Sequence, residues 1–105
     1  LRASALILEK AIKMYPGDAV ILANLAGVYW EAGDFDSAIY HYHKSLEYDD
    51  NLTETYFNLI NLYCETGDLY IAYITCLNLL KLEPDNGEAI ELRDEILLNI
   101  GISLF

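Results

Sequence analysis

Asn24 and Asn58 lie 34 residues apart in a chain of 105. Each carboxamide carries a donor and an acceptor, the two functions needed to hold the backbone of an extended peptide. Aromatic and acidic residues surround them: Trp30 and Glu31 follow Asn24, while Glu54, Phe57, Asn61 and Glu65 flank Asn58. Such a mixture suits recognition more than bond breaking, because aromatics beside polar groups are what binding hot spots contain. Groups with catalytic or metal-binding chemistry are present but badly spaced. His41 and His43 are two apart, so on a helix their rings diverge, whereas a shared metal needs a spacing such as four. Cys64 and Cys76 fall on successive helical segments and read as buried structural thiols rather than a redox pair. The acidic run Glu47-Tyr48-Asp49-Asp50 lacks the glycine and ligand spacing of a calcium loop. Phosphate loops, nucleophile elbows and paired-carboxylate pockets are missing too. The expectation is a chain that is not an enzyme and uses neither metal nor cofactor.

The elements that must position these residues repeat. Asn24, Leu25, Tyr29, Glu31, Gly33, Asp34, Ala38 and Leu46 recur without a gap as Asn58, Leu59, Tyr63, Glu65, Gly67, Asp68, Ala72 and Leu80. A constant interval of this length is the signature of stacked modules. Apolar periodicity near 3.6 predicts helices over 2–15, 19–32, 36–48, 53–66, 70–82 and 87–100. Pro16-Gly17-Asp18 and Glu83-Pro84-Asp85-Asn86 break the pattern. Asp18 is placed to cap the second helix, and Asp85 with Glu88 has capping-box spacing before the sixth. Gly33 and Gly67 suit left-handed helix ends, each followed by an Asp suited to start the next helix. Loops this short force antiparallel helical hairpins, so the fold class is all-α.

These residues resemble the tetratricopeptide repeat, a 34-residue unit of helix, turn and helix. The first full unit, 19–52, resembles that pattern in Leu25-Ala26, Tyr29, Gly33-Asp34-Phe35, Ala38, Tyr42 and Leu46. The second, 53–86, does so in Tyr56, Leu59, Tyr63, Gly67-Asp68, Ala72 and Pro84. Residues 1–17 resemble the second helix of a preceding unit, and 87–105 a capping helix or a partial third repeat. The resemblance implies a right-handed α-solenoid, a single domain over 1–105, and a concave groove lined by the first helix of each unit. Carried over, the partner-binding groove comprises Asn24, Trp30, Glu31, Glu54, Phe57, Asn58, Asn61 and Glu65. Val20, Ala23, Gly27 and Cys64 join it, and the last helix adds Glu88, Glu91, Leu92 and Glu95. Some members of the family grip acidic chaperone tails with a clamp of basic residues and asparagines. The corresponding positions here are Ala23, Gly27, Asn58, Glu88 and Leu92, so that clamp is absent.

Departures between the copies carry their own message. The fifth segment, 70–80, is apolar almost all round, where a surface helix has one apolar stripe. Ile71, Ile74 and Leu77 stand where the first unit has Ser37, Tyr40 and His43. With Tyr40 they form a possible second interface, serving self-association, contact with the rest of a longer parent chain, or nothing beyond ordinary surface. The tail 100–105 is also apolar and is expected to fold back on the last helix or to continue onward. The start at Leu1 suggests a piece cut from a longer protein, with one open edge.

Composition narrows the partners. Seventeen acidic against six basic residues give a formal charge of -11, a field that repels nucleic acid and anionic membranes. A groove of the same sign favours a basic or apolar protein or peptide. The leading expectation is a cytoplasmic scaffold or adaptor module that binds a partner segment in an acidic and aromatic groove. The alternative is a structural or self-association segment of a longer helical-repeat protein, using the outward apolar face of the second repeat.

Overall fold

In the computed structural model, which describes the backbone of residues 2–104 and the side chains of 3–101, the turn chemistry of the sequence is realised in full at Asp18, Gly33 and Asp34 and in part further along the chain. Six helices occur among the described residues: α1 (Arg2–Met14), α2 (Ala19–Glu31), α3 (Phe35–Tyr48), α4 (Thr53–Thr66), α5 (Leu69–Leu82) and α6 (Gly87–Leu104). No strand is present among the described residues. The chain divides into two compact units, Leu1–Thr55 and Tyr56–Phe105.

In the first unit, α1 ends one residue earlier than expected, because a residue before proline is pushed out of helical geometry. The Asp18 carboxylate accepts from the Val20 and Ile21 N–H groups and caps α2. At the other end of α2, Gly33 takes φ +81°. The Asp34 N–H then donates to Tyr29 O and the Gly33 N–H to Trp30 O, the paired bonds that close a helix through a left-handed glycine. Asp34 at once caps α3 through the Ser37 N–H, which brings Phe35 into the helix. The Ser45 hydroxyl, near the end of α3, donates to Ala19 O at the start of α2 over 2.7 Å, which shows the two helices to be antiparallel. Leu22, Leu25, Ala26, Ala38 and Tyr42 form the buried core between them. Ala26 and Ala38 are fully buried, and their small side chains let the helices approach closely. Helix α1 is tied to α2 by the Tyr29 hydroxyl, which donates to Glu9 Oε1 at 2.5 Å. That bond, with burial and the charges of Glu9 and Asp34, pushes the Tyr29 phenol up to about 12.

In the second unit, Gly67 repeats the left-handed exit at φ +85°, with the Asp68 N–H donating to Tyr63 O. Two capping expectations fail here. Asp68 occupies the cap position of α5, but its side chain makes no cap bond and accepts instead from the Thr66 hydroxyl at 2.8 Å. The first unit has Ala32 at that repeat position, so no hydroxyl competes there. Before α6 the capping residue is Asn86, whose Oδ1 accepts from the Ala89 N–H at 3.0 Å, and not Asp85; the helix begins one residue later than a cap at Asp85 requires. Helix α6 also outruns its expected end at 100, continuing to Leu104. A lone Gly101 costs about 1 kcal/mol in a helix and does not stop it. The expected fold-back of the tail concerns side chains 102–105, which lie outside the described residues. Leu59, Ile60, Leu62, Ala72, Cys76, Leu79 and Ala89 make up a fully buried core.

Candidate functional site

On α2, the positions 20, 24, 27 and 31 fall one turn apart and share a face. Val20, Asn24 and Glu31 are exposed there, and Trp30 is half-buried. The Trp30 ring meets the buried Tyr42 ring edge to face, centroids 6.3 Å apart and planes at 88°, so part of its surface is committed to the core. Gly27 leaves the face shallow: a methyl group placed on it would meet only the Tyr42 hydroxyl, at 3.7 Å. Burial and then the charges of Glu54 and Glu31 raise the Tyr42 phenol above its ordinary value. Both carboxylates therefore act at the ring that supports Trp30.

In the second unit, Phe57 and Asn61, one turn apart on α4, look across a recess toward Glu88, Glu91, Leu92 and Glu95 on α6. The recess has a volume of about 180 Å³. Phe57 and Leu92 are half-buried and form its apolar walls; Asn61 and the three glutamates are exposed at its rim. Asn58 and Glu65 stand outside the lining, with Asn58 half-buried and Glu65 exposed. Of the residues expected in the groove on this helix, the structure thus gathers Phe57 and Asn61 with the closing helix.

The thiols behave as packing groups. Cys76 is fully buried, and burial pushes it up to about 11, with the charge of Cys64 adding to the rise and that of Arg93 opposing it. Cys64 is only half-buried, a correction to its reading as a core thiol. Its thiol is also raised, by burial and by the nearby Glu95. Neither has the lowered thiol pKa of a reactive nucleophile. His41 packs against the Tyr29 ring at 5.1 Å, with its Nδ1 2.7 Å from Ser37 O. Among the described residues no group of three or more His, Cys, Asp or Glu converges as metal ligands do, and no helix is long and apolar enough to cross a membrane.

The residues expected to form a second interface differ in exposure. Tyr40, Ile71 and Ile74 are exposed, the last two at 46% and 44%, but Leu77 is half-buried. A helix turning 100° per residue carries Leu77 back toward the core side. In its place the structure adds Tyr70, 68% exposed. Its spacing of four from Ile74 was a signal available in the sequence.

No family model and no curated protein matches the sequence. Solved structures are similar to it. The first TPR of Spaghetti (RPAP3), bound to the HSP90 peptide SRMEEVD, aligns over 92% of this chain and 79% of its own, with a TM-score of 0.79 and 21% identity. YrrB, described as a TPR protein with an unusual peptide-binding site, aligns over 90% of this chain at 0.76 and 22% identity. MamA aligns over 92% at 0.79 and 18% identity. This chain spans 48% of the YrrB chain and 57% of the MamA chain. The fold of these six helices is that of the tetratricopeptide-repeat proteins.

Proposed function

We propose that the chain is a protein-interaction module, a scaffold or adaptor element whose first-helix faces bind a segment of another protein. The observation that carries this reading is an open face of amide, aromatic and carboxylate groups on each of α2 and α4. Asn24, Trp30 and Glu31 supply it in the first unit, with Glu54 nearby; Phe57, Asn58, Asn61 and Glu65 supply it in the second. Rings anchored from behind, as Trp30 is by Tyr42, lose little freedom on binding, which favours affinity. The partner segment is basic or apolar. The peptide held by the Spaghetti domain contains acidic residues, whereas the recess here carries Glu88, Glu91 and Glu95, and like charges brought together are repulsive. The module acts in the cytoplasm, where free thiols such as Cys64 and Cys76 stay reduced.

Affinity capture from the source organism, with the wild-type chain beside Phe57→Ala and Asn58→Ala variants, tests the reading. A partner held through these residues is lost or weakened about 30-fold, the equivalent of about 2 kcal/mol at a hot spot, while circular dichroism stays unchanged. A partner that binds both variants as well as wild type counts against the groove.

A second reading rests on the exposed Tyr70, Ile71 and Ile74 of α5, because adjacent exposed apolar side chains mark contact surfaces. On this reading the chain self-associates or packs against the rest of a longer parent chain. Light scattering on the isolated chain then gives a dimer mass that falls to the monomer in Ile74→Lys. A monodisperse monomer at high concentration counts against self-association.

A further inference from the structure

The recess between α4 and α6 has a size, a lining and an unanswered charge that together select one kind of occupant. Its volume of about 180 Å³ is below the roughly 300 Å³ at which drug-sized or cofactor pockets begin. It accommodates a single side chain. Glu88, Glu91 and Glu95, at positions i, i+3 and i+7 of α6, bring three carboxylates to one rim. Among the described residues none of the three has a salt-bridge partner. The neighbouring Arg93 is engaged with Asp94 at 2.9 Å. A carboxylate side chain entering here meets like charges, and a purely apolar one covers Phe57 and Leu92 but makes no use of the exposed rim carboxylates and the Asn61 amide. A bare metal ion is also a poor fit, because the carboxylates do not converge as a coordination set. The remaining cation is one that reaches several separated acceptors at once and tolerates an aromatic wall.

We propose that this recess is a specificity pocket for an arginine side chain of the partner segment. The inference rests on the reading of α4 as part of a partner-binding face. The aliphatic stem lies along Leu92, the guanidinium plane stacks on Phe57, and its N–H fork donates to the glutamates and to the Asn61 carbonyl. Lysine fits less well, since an ammonium is a compact point charge that neither stacks flat nor forks.

The probe is N-acetylarginine amide, titrated into isotope-labelled protein and followed by the amide resonances. Its neutral isostere N-acetylcitrulline amide serves as the control. Shifts centred on Phe57, Asn61 and Leu92 that the citrulline compound does not produce support the pocket. They should weaken about three- to tenfold in the Glu91→Gln, Glu95→Gln double variant. Both substitutions are at exposed positions, and a preserved helical spectrum confirms folding. Equal shifts with both compounds, or shifts scattered over the acidic surface, overturn it. A captured partner that is weakened by Asn58→Ala yet indifferent to the glutamate double variant also overturns the pocket, and leaves the interaction module standing.

Discussion

Tyr42→Ala lowers the stability of the first unit by about 3–5 kcal/mol, the range for deleting a buried aromatic ring. Tyr42 is 2% exposed and is the largest of the fully enclosed side chains in its unit. Its ring supports Trp30 edge-on, its hydroxyl lies over Gly27, and it fills the space between α2 and α3. Truncation leaves a cavity and removes the support of the Trp30 ring in one step. Stability near 5–15 kcal/mol is usual for a domain of this size, so the loss is a large share of the total. Urea denaturation followed by fluorescence measures it directly, since Trp30 is the one tryptophan in the chain. Its emission should also shift in the native state of the variant as the ring loses its neighbour. Tyr42→Phe keeps the ring and costs about 1 kcal/mol or less. A Tyr42→Ala midpoint close to wild type would show that the ring is not a structural support.

Ile60→Ala costs about 2–5 kcal/mol, while the reciprocal change at the same repeat position, Ala26→Ile, costs about 1–3 kcal/mol by overpacking. The two residues are 34 apart and both are fully buried. If repeat position alone decided what fits, one residue would serve equally well at both sites. Close-packed interiors do not work that way, because each cavity is shaped by its own neighbours. The buried set of the first unit includes the small Ala38 and the hydrogen-bonded Ser45; the second unit has Ala72 and the bulkier Leu79 at those repeat positions, all four fully buried. Thermal and urea midpoints for the two variants decide the matter. A stabilised Ala26→Ile chain would reveal unfilled space beside α2 and overturn the argument.

These two sites mark the boundary of what a one-dimensional reading reaches. Helix positions were legible to within one residue at most ends, since periodicity and turn residues are local signals. Gly33 and Gly67 adopt the left-handed conformation their place after a helix required. Asp18 and Asp34 cap as their spacing implied. Asp68 was misread because Thr66, two residues away, offers its carboxylate a competing hydroxyl. Asp85 was misread because Asn86 beside it is equally able to cap. Neither choice follows from residue type; both follow from where the backbone places the competing group, a donor hydroxyl at Thr66 and an acceptor amide at Asn86. The end of α6 had no strong stop signal to read.

The proposed binding face divides along the same line. By itself the sequence determined which residues share a helical face, because the 3.6-residue period puts Phe57 with Asn61, and Glu88 with Glu91 and Glu95, on one side of their helices. It determined the acidic sign of that face and the turns that fold each hairpin. Only the tertiary structure decided that Phe57 and Asn61 look across a recess at those glutamates, that Trp30 rests on Tyr42, and that Leu77 turns inward while Tyr70 stays out. The physical reason is that periodicity orients a side chain about its own helix axis, whereas what it faces depends on how a second helix packs, and packing is settled by the shapes of many side chains at once.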